Sequence, residues 1–415
     1  MSELIEENLE ELSENGTPTG IEATDEEIIL EPFDPESISI EQKVVAMDTL
    51  IRRLKQGSIH LAPGFQRSEV WDDTRRSLLI ESLMLKIPLP MFYVAGNDKG
   101  EWEVVDGLQR LSTIRDFILG DAHGVLLKLK NLEFLGDKFE GKTYKVLENS
   151  AGQSDMIMQR LMNTIMEAEM RFTVINPGTP EEVKRNIFKR INTGGMPLTS
   201  QEIRHAMYQG LASDLLKELV CRPEFISAIG KKINDTRMGA RELVLRFVSF
   251  KLFSRKSYRS NMDGWLSNAM RVINLMPDLN EENLTKIFRD QPIPELECTS
   301  IDELTAKFSL AMDRSALLFG THAFRKSLPG GGKKSPVNKA LFETWSTILS
   351  DLDVSDFEVL VSKKDKMLDE YRKLFSNSAF LDSISRHASQ VARGVEYRYD
   401  KVEELVTLIL EGQQE

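Results

Sequence analysis

Apolar residues recur three and four apart at Val44, Met47, Leu50, Ile51 and Leu54, which predicts an amphipathic helix over this stretch, closed by Gly57. The segment IHLAPGFQR is extended and breaks at Pro63-Gly64. Asp72 or Asp73 then caps a helix whose Leu79, Ile80 and Leu83 face one way, and Pro88 and Pro90 stop it. MFYVA reads as a strand, Asn97-Asp98-Lys99-Gly100 as a turn and EWEVVD as a second strand, the pair making a β-hairpin. In EWEVVD, Trp102, Val104 and Asp106 share one face, opposite Glu101, Glu103 and Val105. Gly107 ends that strand, and Leu108, Leu111, Ile114 and Ile118 follow at helical spacing.

MRFTVI at 170 to 175 is a further strand. Methionines at 156, 158, 162, 166 and 170 sit at roughly helical spacing and read as packing. The next helix, from Pro180 to about Ile191, carries the stripe Val183, Ile187, Phe188 and Ile191, and Thr199-Ser200-Gln201-Glu202 opens another through a capping box. Beyond Gly210 nearly everything is helical. RELVLRFVSFKLF at 241 to 253 is apolar on most sides and reads as a buried core helix, and Leu341, Phe342, Trp345, Ile348 and Leu349 form another stripe. The fold class expected is α+β, with a small mixed sheet first and an all-helical domain after it. The divisions are an arm over 1–35, a motif domain over 36–210 and a helical domain over 211–415.

Charge changes the picture at the N-terminus. Residues 1 to 41 hold 14 of the 65 acidic residues and no Lys or Arg, so the remaining body has 53 basic against 51 acidic residues and is nearly neutral. An arm so charged and so poor in aromatics reads as flexible and solvated, with docking onto a partner or onto the body as the alternative. On the first reading, deleting residues 1–35 changes the melting temperature little. No apolar run approaches the roughly 18 to 20 residues of a membrane span, and the acidic start is unlike a signal peptide, so a cytoplasmic protein is expected. Cys221 and Cys298 form no disulfide framework.

Three clusters offer chemistry. In VVDGLQRLST a glycine at a strand–helix junction lets a ligand approach the backbone, and the helix dipole favours an anion there. Arg110 in the first turn sits at the wrong end of that dipole unless a negative group is near. The structural alternative is that Asp106 caps the helix and pairs with Arg110. In GFQRSEVW, Gln66 and Arg67 suit phosphate or a base edge, unless Arg67 pairs with Glu69 or Glu81. In FKRINTGGMPLTSQEIR, Arg190, Asn192, Thr193 and Arg204 flank Gly194-Gly195, which otherwise form a helix cap and tight corner. The run Gly330-Gly331-Gly332-Lys333-Lys334 lacks the P-loop spacing and is a linker, and no two of the five histidines stand at metal-ligand spacing.

Taken in order, PGFQRSEVW, LLIESLMLKIPLPMFYV, VVDGLQRLSTIRDF and FKRINTGGMPLTSQEIR resemble the N-terminal domain of GmrSD-type restriction endonucleases. This ParB/sulfiredoxin-like family carries a D-G-Q-Q-R motif, and the likeness covers about residues 35 to 210. VNKALFE and VEYR look like the helical half of such proteins. The resemblance implies prokaryotic defence against phage, with a nucleoside triphosphate bound and hydrolysed, with magnesium. Asp106, Gly107, Gln109 and Arg110 would form the site, Gln66 and Arg67 would line it, and Asn192, Thr193, Gly194 and Gly195 would face it. Arg110, Arg67 and the helix N-terminus would neutralise phosphate charge, and Asp106 would hold a divalent ion or orient water. Two departures stand out: Leu108 replaces a Gln of the motif, and no His-Asn-His nuclease pattern follows. The function expected is a nucleotide-binding regulatory or specificity component that acts on DNA directly or through a separate nuclease; a homo-oligomer is left open and no membrane contact is expected. The alternatives are a ParB-like DNA-binding or scaffold protein switched by nucleotide and, last, a stand-alone nuclease.

Overall fold

The computed structural model describes residues 10–13, 16–23, 38–61, 71–151, 156–191, 198–230, 233–289, 291–330, 333–385 and 388–412. Two compact units result, one of Glu31–Leu198 and one of Thr199–Glu415 with Met1–Leu30.

The Glu31–Leu198 unit is α+β. Its strands are β3 (Ile40–Ala46), β4 (Ile59–His60), β5 (Phe92–Gly96), β6 (Trp102–Asp106) and β7 (Glu169–Ile175). They form one mixed sheet in the order β3-β7-β5-β6-β4. The β5–β6 hairpin is antiparallel as expected, whereas β5 and β7 run parallel and so need the long helical crossover between them. Its helices include α1 (Met47–Lys55), α2 (Asp73–Met84), α3 (Leu108–Ile118), α4 (Tyr144–Ala151), α5 (Met156–Met166) and α6 (Glu181–Ile191). Phe92, Val94, Trp102, Val104 and Phe172 bury one face of the sheet against Leu50, Ile80, Leu111 and Phe117 of the helices. The methionines at 158 and 162 belong to this core.

One element differs from the sequence reading. Helix α1 starts at Met47, and Val44, placed on that helix by its spacing, lies on β3 with 60% of its surface exposed. Each residue from Ile40 to Ala46 is paired with β7, from Ile40↔Ile175 to Ala46↔Glu169. Cross-strand pairing decides the conformation of a segment whose own pattern is ambiguous.

The other unit is helical apart from its N-terminal strands. The helix Gly239–Leu252 is buried almost throughout, and Lys339–Asp351 packs beside it. Between them lies a buried ionic network: Glu343 pairs with Arg398 and, at 3.1 Å, with Arg246, which also meets Glu242 at 3.0 Å. Lys339 binds Glu242 at 2.9 Å. The Thr199–Glu202 capping box is present, and its helix Ser200–Met207 falls in this unit, held by Arg204 to Asp263 at 2.5 Å. The helix Ser200–Met207 therefore falls on the helical side of a division at Leu198/Thr199.

The described part of the acidic arm is folded, not free. Strands β1 (Glu10–Leu12) and β2 (Pro18–Glu22) pair antiparallel around a turn at Gly16. Val337 exchanges backbone bonds of 2.9 Å with Gly20 and Glu22. Ile21 is fully buried in the helical core, and a Cβ on Gly239 would stand 2.8 Å from its Cδ1. The acids meet partners within the unit: Glu11 lies 2.7 Å from the buried Lys339, and Glu22 lies 2.7 Å from the half-buried Lys326 and accepts from the buried Asn338 at 2.9 Å. Charge that looks like solvation in the sequence here neutralises lysines more than 300 positions away. The rest of 1–35 lies outside the described residues.

Candidate functional site

The D-G-L-Q-R segment lies where β6 passes into α3. Gly107 is the N-cap, at φ 96° and ψ 13°, a left-handed conformation that costs an L side chain about 1–2 kcal/mol. A Cβ there would also stand 2.4 Å from the Phe92 ring. The glycine is thus required by the fold itself, because the hairpin brings Phe92 against the turn.

Arg110 is buried and lies over Phe92, 4.5 Å from the ring centre. Its Nη1 donates to the Pro90 carbonyl, and its Nη2 donates to Met91 O at 3.2 Å and to Asp106 Oδ2 at 2.9 Å. Burial lowers its pKa, and Asp106 opposes that shift. Asp106 pairs with Arg110, as the spacing allows, but does not cap the helix. Arg110 ties the start of β5 to the first turn of α3, so it positions the turn.

What the turn leaves open are backbone donors. Leu111 N–H bonds back to Gly107 O at 2.9 Å, while the N–H groups of Leu108, Gln109 and Arg110 meet no acceptor among the described residues. The Gln109 side chain also has no partner among them. Asp106 is about one-third exposed and its Oδ1 accepts no hydrogen bond from the described residues. Leu108, at the departing motif position, packs its side chain against the domain core, and that side chain supplies no donor.

The other predicted walls are not brought into view. Gln66, Arg67, Asn192, Thr193, Gly194 and Gly195 lie outside the described residues. Glu81, one proposed partner of Arg67, is buried and accepts the backbone N–H groups of Glu133, Phe134 and Leu135 at 2.7 to 3.0 Å. Arg204 is spent on Gln201 and Asp263 in the helical unit.

One titratable group escaped the sequence reading. Glu103, three residues before Asp106 on the opposite face of β6, has its pKa pushed up to about 8, by burial first and then by Glu181, with Lys184 acting against them. Both of these neighbours come from α6. Among the described residues no three His, Cys, Asp or Glu side chains group as a metal site, and no helix is long and apolar enough to cross a membrane.

A small mixed sheet whose strand β6 passes through a glycine turn into α3 defines an α+β domain. Residues 48–209 match the family model described as GmrSD restriction endonuclease, N-terminal domain, and that domain is present in this chain. The match runs from α1 through the helix Ser200–Met207, and it points to a restriction or defence system and to DNA. No curated protein and no solved structure matches the chain.

Proposed function

We propose that this chain is the nucleotide-binding component of a prokaryotic anti-phage restriction system, acting in the cytoplasm on DNA together with a separate nuclease. The observation that carries the reading is the open first turn of α3, where three unpaired N–H groups and the Gln109 amide lie within the matched domain. Free amides at a helix N-terminus suit a triphosphate. Magnesium keeps several waters and takes one or two carboxylates plus phosphate oxygens, so Asp106 Oδ1 alone is a sufficient protein ligand. That ion would supply charge neutralisation of the phosphates. Arg110 keeps Asp106 aimed and holds the turn in shape, and Gln109 orients a phosphate oxygen or the attacking water. Gln66, Arg67 and the Asn192–Gly195 segment complete the site in this reading.

Isothermal titration of the full chain with each triphosphate and magnesium tests it. Binding by the wild type and a loss of at least tenfold in Asp106→Asn or Gln109→Ala is expected; equal affinity in all three would remove Asp106 and Gln109 from the site. Leu108 favours a second reading, in which nucleotide is held but not turned over. Phosphate release by the wild type separates the two. Plain and modified DNA incubated with the pure chain, magnesium and triphosphate should stay intact, because the described residues offer no metal cluster for phosphodiester cleavage.

A further inference from the structure

At the other end of β6 from the D-G-L-Q-R turn, an open groove of about 690 Å³ is lined by residues of β3, α1 and the start of β6. Helix amphipathicity accounts for its wall. Met47 and Leu50 are buried in the core, which leaves Thr49, Arg52, Arg53 and Gln56, spaced at i, i+3, i+4 and i+7, on the groove side. Lys43 joins them from β3, and none of the described lining residues is acidic. This is a local exception in a chain of net charge −12.

The three cations are held differently. Arg53 is fixed: its guanidinium lies 3.6 Å from the centre of the buried Trp102 ring, and Nη2 donates to Gly100 O at 2.8 Å. The Arg52 guanidinium is exposed and meets no acceptor among the described residues. Lys43 meets Glu41 at 3.0 Å, with both side chains about half exposed. Such an exposed pair is worth about 0–1 kcal/mol, so exchanging the carboxylate for a phosphate costs little. A groove this open cannot enclose a small ligand, which a typical binding pocket surrounds on most sides. A row of cations interspersed with hydroxyl and amide groups suits a polyanion lying along it.

We propose that this groove holds the phosphodiester backbone of a nucleic acid, with Lys43, Arg52 and Arg53 on its phosphates. The proposal takes DNA as the partner from the functional reading above, but it uses none of the residues assigned to nucleotide. The test is fluorescence anisotropy of a short labelled duplex, and of its single strand, with the full chain over a range of salt concentrations. The variant is Lys43→Ala/Arg52→Ala, since both side chains are exposed, and Arg53 is left in place because it packs on Trp102. A loss of about tenfold or more in affinity is expected, with the slope of log K against log salt shallower by about two. Arg52→Lys should retain binding. Unchanged affinity and slope in the double variant, or no binding of either nucleic acid by the wild type, overturns the proposal. Triphosphate titration of the same variant keeps the two readings apart. Unaltered nucleotide affinity with weakened duplex binding supports the groove, and lost nucleotide affinity with intact duplex binding overturns it. A wild type that binds duplex through these residues but binds no triphosphate leaves the groove standing and removes the nucleotide site.

Discussion

Gly107 and Arg110 stand at the centre of the motif, and both are explained first by packing. Gly107→Ala must carry a left-handed backbone and displace Phe92, which is expected to cost about 2–4 kcal/mol in chemical denaturation. Arg110→Ala strands the Pro90 and Met91 carbonyls and the Asp106 carboxylate, a loss of similar size. Arg110→Lys should recover little, since a single ammonium nitrogen cannot reach acceptors that are divided between the two ends of a planar guanidinium. If Arg110→Ala melts like the wild type, its bonds do not hold the turn. Glu103 brings a pH dependence. Its carboxyl is raised to about 8 in the folded chain against an unfolded value near 4.5. Its favourable contribution is therefore complete below the unfolded value and is lost as pH rises through the folded one. Glu103→Gln should stabilise the protein increasingly between those pH values, by about 1–3 kcal/mol at the top of the range, and have no effect at low pH. A gain independent of pH would show that ionisation of Glu103 is not what costs stability.

Among the elements, the β5–β6 hairpin and the helices α2, α3 and α6 were legible because each carries its own signal, whether strict alternation, a cap or a periodic stripe. Asp72 caps α2 through a 2.7 Å bond from Arg75 N–H, as its position implied. Strand β3 was not legible: an edge strand with Gln42 and Lys43 among its residues takes its conformation from β7, which lies more than 120 positions away. The β1–β2 hairpin was read as a solvated arm for the same reason, since the partners of Glu11 and Glu22 are lysines near position 330. The expectation that its removal matters little therefore reverses. Ile21→Ala should cost about 2–4 kcal/mol, and deletion of residues 1–23 should lower the melting temperature by several degrees. A truncated chain that melts with the wild type would mean the hairpin adds nothing to the helical unit.

At the scale of the whole molecule, the near-neutral body conceals a division of charge that composition averages away. Glu11 and Glu22 pair with Lys339 and Lys326, while Lys43, Arg52 and Arg53 collect around a groove whose lining residues include no acid. The motif turn was legible in sequence as a strand, a glycine and a helix, but the sequence did not disclose that Arg110 is committed to backbone carbonyls. What remains for a ligand is the open amides of α3, and hydrogen exchange reads those amides directly. In the full chain without nucleotide, the N–H groups of Leu108, Gln109 and Arg110 should exchange quickly. With magnesium and a triphosphate in excess, peptides spanning 106–111 should be slowed at least tenfold, and the effect should vanish in Asp106→Asn. Unchanged exchange at these three amides under conditions where triphosphate is bound elsewhere on the chain would contradict the account.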